Sequence, residues 1–204
     1  MVLMRRAFLR CVLASAIAVL PAMSAMAGES RNTRVAITIG NFGEVAPTYF
    51  RGEQPEGSDY ATLAAFGIKT VIDLQADGQA NEQGQVEKAG MKFHRIPMTT
   101  HVAPTKAQIA EFLQLVNDPA NQPVYVHCAG GKHRTGVMTA IYRMATDKWT
   151  ADQAFREMKQ YKFGADFLHS EFKEFVYGYP AALRAAAAAA GPIAGPLVKA
   201  GGQQ

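Results

Sequence analysis

Val124-Tyr-Val-His-Cys-Ala-Gly-Gly-Lys-His-Arg-Thr-Gly136 decides how the rest of the chain is read. Val124 to Cys128 alternates as a strand. Gly130, Gly131 and Gly136 let the backbone curl, and beyond them Val137, Ala140, Ile141 and Met144 recur at helical spacing. A strand that passes through a glycine-rich loop into an amphipathic helix is the punctuation of an α/β domain. Upstream, Thr105 opens a helix whose apolar face is Ile109, Phe112, Leu113 and Val116, after a loop from Pro97 to Pro104. Further back, Met91 to Ile96 reads as a strand, Ala80 to Ala89 as a polar helix stopped by Gly90, and Ile68 to Leu74 as a buried strand. Asp77-Gly78 turns the chain between the last two. Ser58 caps a helix through Phe66 that Gly67 stops, and Arg34 to Ile39 and Thr48 to Arg51 read as short strands. Downstream, Thr150 with Gln153 forms a capping box for a helix through Tyr161, and one more helical stretch runs from about Phe167 to Tyr177.

The loop carries the residues that attack at phosphorus requires. A free thiol titrates at about 8.5 and is mostly protonated at neutral pH. Cys128, at a strand end facing a helix N-terminus, is surrounded by inward-pointing N–H groups that favour the thiolate. The backbone from Ala129 through Gly130, Gly131 and Gly136 can cradle a phosphate with successive amides. Arg134 lies across the curled loop, and its planar fork suits two phosphoryl oxygens. Thr135 offers a hydroxyl near the sulfur that eases thiolate departure in a second step. Lys132 and His133 project from the loop toward substrate.

Spacing excludes several neighbouring phosphate loops. A Walker-type loop needs Gly-x4-Gly-Lys-Ser/Thr, but His133 follows Lys132 and Val126 stands where the first glycine belongs. A rhodanese-like loop is one residue shorter between cysteine and arginine, and an arsenate reductase needs resolving cysteines. His94, His101, His127, His133 and His169 show no ligand-spaced cluster, so the sequence implies neither a metal nor any other cofactor.

The two ends of the chain read as appendages. Met4-Arg-Arg-Ala-Phe-Leu-Arg10 precedes the apolar run Cys11 to Leu20, and Ala25-Met26-Ala27 has the small-x-small form of a cleavage site. Residues 1–27 are therefore expected to be an export signal, of the general or twin-arginine kind. The apolar run is too short to span a bilayer and Pro21 closes it, so no membrane span is expected after cleavage. Three arginines, Arg5, Arg6 and Arg10, leave with this segment and no acidic residue precedes Glu29, so the net charge falls from +4 to +1. That small charge gives no support to a nucleic-acid partner. Cys11 leaves too, so the mature chain keeps Cys128 alone and can form no internal disulfide, even in a periplasmic or extracellular setting. One domain is expected over residues 28–178. From residue 179 the composition shifts to alanine, glycine and proline, read as a partly helical tail over 179–204.

His127-Cys-Ala-Gly-Gly-Lys-His-Arg-Thr-Gly136 resembles the signature of the dual-specificity branch of the protein tyrosine phosphatases. The Gly-Lys-His-Arg-Thr-Gly run is most similar to plant and fungal atypical dual-specificity phosphatases, a group linked to inositol pyrophosphate hydrolysis. Asn41-Phe42, Tyr49-Phe-Arg51, Pro55, Gly67 to Leu74, and Trp149 with its following helix fit the same pattern, which covers roughly residues 35–177. The resemblance implies a three-layer α/β fold with a mostly parallel central sheet flanked by helices. It also implies a phosphocysteine mechanism with Cys128 as nucleophile and Arg134 as clamp; Asp73 and Arg51 take structural roles. One departure stands out. Such phosphatases usually carry a proton-donating aspartate in the loop that here reads Pro97-Met-Thr-Thr-His-Val-Ala-Pro104 and holds no carboxylate. His101 is its only titratable group, with Asp166, His169 and Glu171 further along the chain as other candidates. The expected substrate is a phosphorylated protein, foremost at tyrosine. An inositol polyphosphate or pyrophosphate is the alternative, and a phosphate-binding module without turnover is a third reading.

Overall fold

A computed structural model of the protein describes residues 35–189. Five strands form one sheet: β1 (Gly43–Ala46), β2 (Tyr49–Gly52), β3 (Thr70–Gln75), β4 (Lys92–Met98) and β5 (Val124–His127). Six helices accompany them: α1 (Asp59–Phe66), α2 (Glu82–Lys88), α3 (Lys106–Asn117), α4 (Arg134–Ala145), α5 (Ala151–Gln160) and α6 (Ser170–Ala189). The strand order is β1-β2-β5-β3-β4, parallel except for the antiparallel edge hairpin of β1 with β2. The expected α/β architecture with a mostly parallel central sheet is present.

Period-two alternation divides the strand residues between two apolar layers. Tyr49, Ile72, Leu74, Val124 and Val126 face α3 to α6, where Phe112, Val137, Ile141, Phe155 and Phe172 meet them. Phe50, Val71 and Tyr125 face the other way, onto Tyr60 and Leu63 of α1 and Val86 of α2. Strands buried on both faces read as near-continuous apolar runs, as a parallel sheet requires. β5 is central, so its C-terminal end, where Cys128 follows His127, opens at the middle of the sheet edge where ligands bind in open α/β folds.

Several local expectations change in the structure. Residues 35–39 form no strand; Ile39 is buried and Ile37 half-buried in the layer beside α1 and α2, because β1 already pairs with the edge there. β1 itself is a strand the alternation did not mark. Ser58 sits at the N-terminus of α1 without a side-chain cap; instead the Asp59 carboxylate accepts the Glu56 N–H at 3.0 Å and braces the preceding turn. Gly67 does end α1, at a left-handed φ of 105°. The Thr150–Gln153 capping box is formed, and Thr105 makes a second with Gln108. The final helix does not stop near Tyr177: α6 continues through Pro180 to Ala189, with Tyr179 buried. The expected export signal lies outside the described residues, as does the end of the tail. Among the described residues, no helix is long and apolar enough to cross a membrane.

Candidate active site

The loop from Cys128 to His133 joins β5 to α4, and side chains from three other segments shape it. Gly131 adopts φ +59°, and a Cβ there would lie 2.3 Å from the Gly52 carbonyl oxygen. Only glycine satisfies both the left-handed backbone and that close approach. The fully buried Arg51 donates from Nη2 to the Gly131 carbonyl at 2.6 Å, while its guanidinium stacks 4.0 Å over the Tyr161 ring. Asn41 Nδ2 donates to the Gly131 and Gly130 carbonyls at 3.0 and 3.3 Å and to the Tyr161 carbonyl at 3.0 Å. Pulling a carbonyl outward turns the N–H of the same planar peptide unit inward. Arg51 and Asn41 thus act as positioning residues that aim loop amides at whatever the loop holds. The Ala129 carbonyl is tied off by the Gln54 N–H at 3.3 Å.

Cys128 is buried at the base of this loop, 3% exposed. Arg134, the first residue of α4, is equally buried, and its guanidinium reaches a cleft of about 240 Å³ lined by Ala76, Asp77, Thr99 and Thr100. Nη1 donates to Asp77 Oδ1 at 2.9 Å and to the Met98 carbonyl at 3.2 Å, whereas Nε is buried with no partner. The Thr135 hydroxyl is likewise buried without a hydrogen bond, to sulfur or to any other atom. A phosphoryl group in the loop is the kind of acceptor these two donors lack. In the sequence Asp77 shows only as part of an Asp-Gly turn. Its side chain is largely exposed, and the Arg134 guanidinium holds its carboxyl below the usual range.

Beneath the loop lies a buried polar cluster that the sequence did not signal. His127 Nε2 is 2.8 Å from Glu82 Oε1, an approach too oblique for a hydrogen bond, and its Nδ1 is 3.9 Å from Asp73 Oδ1. Glu82 also accepts from Gln54 at 2.8 Å, and Arg95 bonds Asp73 at 2.7 Å. Burial pushes both carboxyls up. For Asp73 that effect wins, whereas His127, Gln54 and Arg95 together hold Glu82 below its ordinary range. The cluster ties α2 and β4 to the residue before the nucleophile.

Three histidines stack at the rim. The His133 ring lies 3.7 Å from that of His169, which lies 4.9 Å from that of His101. His133 Nε2 and His169 Nδ1 further donate to the carbonyls of Phe163 (3.0 Å) and Thr100 (3.1 Å). Burial and the neighbouring His169 lower the His133 pKa. The stack brings His101, from the loop after β4, to the same edge as the phosphate loop. Asp166 does not join it: Lys159 and Lys173 each bond one of its oxygens at 2.7 Å and hold its carboxyl below the usual range. Gly136 also lies apart from the cradle. It sits inside α4, where a Cβ would meet Met158 of α5 at 3.4 Å, so its smallness serves helix packing.

Comparison with known proteins agrees with this geometry. The family described as "DSP-PTPase phosphatase fused to NAD+ Kinase" matches residues 38–175. The chain belongs to that family. Among similar proteins, inositol diphosphatase DSP2 of Oryza sativa subsp. japonica is 29% identical over 126 residues, covering 59% of this chain and 61% of the rice protein. The dual specificity protein phosphatase TpbA of Pseudomonas aeruginosa is 27% identical over 124 residues, covering 61% of this chain and 56% of its own. The chain therefore spans about three-fifths of the length of these two relatives. Among solved structures, TpbA of P. aeruginosa superposes with a TM-score of 0.63 at 24% identity, covering 78% of this chain and 99% of that one. The core catalytic domain of SIW14 from S. cerevisiae gives 0.62 at 23% identity, covering 74% and 94%. At these identities the likeness establishes the dual-specificity phosphatase fold.

Proposed function

We propose that the protein is an exported cysteine-dependent phosphatase that hydrolyses phosphotyrosine through a phosphocysteine. The observation that carries the chemistry is the buried Cys128 beneath a loop held by Arg51 and Asn41, with Arg134 at the adjoining helix N-terminus. In the first step the Cys128 sulfur bonds to phosphorus as the bond to the leaving oxygen breaks, and that oxygen takes up a proton. In the second, water attacks phosphorus, the S–P bond breaks, and phosphate departs with the thiolate restored. Arg134, whose Nε has no partner in the free loop, binds the phosphoryl oxygens in both steps.

The rim supports an aryl substrate on a protein. Val102 and Leu168 are more than half exposed and Phe167 is 80% exposed, beside the stacked rings of His101 and His169. Such a border suits a phenyl ring and its flanking peptide. A second reading, hydrolysis of an inositol polyphosphate or pyrophosphate, is favoured by the carboxylate-free loop before α3 and by Lys132 on the phosphate loop, and the rice relative is an inositol diphosphatase.

The test uses the chain recovered from the periplasmic or secreted fraction, whose N-terminus should read Gly28; an intact Met1 in the cytoplasm would contradict export. Rapid quench of this protein with phosphotyrosine peptide should trap a phosphocysteine. Cys128→Ser should bind phosphate yet not turn over, and Arg134→Lys should lose most of the rate, because a point charge does not replace the bidentate fork. Full activity in the serine variant would end the covalent reading and leave a different nucleophile to be found. Turnover of inositol pyrophosphate but not of the peptide would select the second substrate class. No turnover of either, with phosphate still bound, would identify a binding module.

A further inference from the structure

We infer that His101, His169 and Glu171 form a binding site for a divalent transition metal, most suitably Zn2+, at the rim of the phosphate loop. Glu171 Oε1 lies 3.4 Å from His169 Nδ1 and 3.6 Å from His101 Nδ1. One ligand atom from each of the three residues falls within 4.8 Å of the others. Zinc holds nitrogen and carboxylate oxygen at about 2.0–2.2 Å, so ligand atoms on neighbouring corners of its tetrahedron stand about 3.3–3.5 Å apart. The two edges that meet at the carboxylate oxygen already have nearly that length.

A second, independent observation points the same way. Glu171 Oε1 is buried from solvent and accepts no hydrogen bond, although the oxygen of a carboxylate is an obligate acceptor. The carboxylate is therefore aimed at two imidazole nitrogens without the donor geometry that would satisfy it. A cation between the three atoms would supply what it lacks. Two imidazoles and one carboxylate are also the borderline-soft donor set that zinc takes with three protein ligands, leaving a fourth position open. The carbonyl of Thr100 lies 3.1 Å from His169 Nδ1, beside the ligand set. Coordination through Nδ1 requires the Nε2–H tautomer of both rings and gives up the contact of His169 with Thr100.

The spacing of these residues in sequence explains why none of this was legible there. His101 belongs to the loop after β4, His169 to the 3-10 turn Asp166–His169, and Glu171 to the first turn of α6. A metal would cross-link these two segments, and through the 3.7 Å stack of His169 on His133 it would bear on the phosphate loop itself. The site is distinct from Cys128 chemistry, which needs no metal, so occupancy would restrain the mouth rather than power the reaction. The other group of His and carboxylate side chains, Asp73, Glu82 and His127, carries no such inference: it is wholly buried, and its carboxylates are engaged by Arg95 and Gln54.

The test is titration of the full chain with ZnCl2, in the Cys128→Ser background so that the thiolate cannot compete for the ion. One equivalent should bind in competition with a chromogenic chelator and raise the unfolding temperature, since an ion that binds only the native state stabilises it. His101→Ala and Glu171→Gln, each made separately, should weaken binding by about 100-fold or more and abolish the thermal shift, at least the loss seen for outer-shell groups. His94→Ala should behave as the parent. Because the His101 side chain is 69% exposed, its removal leaves the fold intact and the comparison is clean. Absence of stoichiometric Zn2+ binding at micromolar concentration, or binding equally tight in both variants, would overturn the site.

Discussion

At the residue scale, Cys128, Arg134 and Thr135 come to the site from one continuous stretch, whereas Asp77 and His101 reach it from other segments. Cys128, Arg134 and Thr135 follow from spacing alone, because the loop that positions them is local. The proton donor is different. Asp77 hydrogen-bonds Arg134 from the β3–α2 connection, where the sequence shows only an Asp-Gly turn, and His101 reaches the rim through a stack with His169 that is remote in sequence. Leaving-group chemistry separates these two. A tyrosine leaving group has a pKa near 10 and its departure gains about 10²–10⁴-fold from a proton donor, whereas a less basic leaving group gains little. At rest Arg134 keeps Asp77 ionised, so Asp77 becomes a donor only if a bound phosphoryl dianion displaces it from the guanidinium and returns its proton affinity. The dependence of log(kcat/KM) on leaving-group pKa, measured for aryl phosphates, should be shallow in the wild type and steepen in Asp77→Asn if that exchange occurs. Steepening in His101→Ala instead assigns the proton to the histidine. A steep wild-type slope unchanged in both variants means that no acid operates and that the enzyme is suited to anhydrides.

At the element scale, helices with a local stop or start signal were legible: Gly67 ends α1, and the Thr150–Gln153 box opens α5. Helix α2 was misleading, because its polar composition suggests a solvated face while Glu82 is fully buried against His127. No local pattern encodes that pairing; it exists only once β5 and α2 are docked at the same sheet edge. Glu82 accepts from the Gln54 amide and the Tyr60 hydroxyl, and a buried donor left without its acceptor costs about 1–3 kcal/mol. Glu82→Ala should therefore lose stability on that scale in urea unfolding at pH 7. Glu82→Gln adds a test of sign. The native Glu82 carboxyl titrates below its ordinary value of 4.5, so the stabilisation it gives is present above that value and disappears as pH falls through the native one. Asp73, whose carboxyl is raised, works in the opposite sense. The difference in stability between wild type and Glu82→Gln should shrink as pH falls below about 4.5; a difference that stays constant there would show that the glutamate contributes by shape and not by charge.

At the scale of the whole molecule, the α/β class could be read from the alternation of strand and helix patterns, but the strand order could not. Parallel pairing of β5 between β2 and β3 brings together segments far apart in the chain, and the resemblance to known phosphatases anticipated only that the sheet is mostly parallel. The end of the last helix is drawn short in the sequence reading for a related reason. The alanine-rich stretch after Tyr177 has no amphipathic stripe of its own, yet α6 runs on to Ala189 and packs against α4 and α5. Phe172, Val176 and Tyr179 are buried in the larger apolar layer, with Leu183 against it. A chain ending at Gly178 would lose Tyr179, and burial of one large apolar side chain contributes about 1.5–3 kcal/mol. It would also remove the helical turns whose hydrogen bonds hold the end of α6 in place, so the loss should fall at the upper end of that range. For a domain of this size each kcal/mol moves the unfolding temperature by roughly 2–4 °C. The protein ending at Gly178 should therefore melt about 5–10 °C lower than the full chain, whereas one ending at Ala189 should melt within a degree or two of it. Calorimetry of the three lengths decides the matter: equal melting of the shortest and longest would show that the domain ends at residue 178 after all, and that Tyr179 contributes nothing to its core.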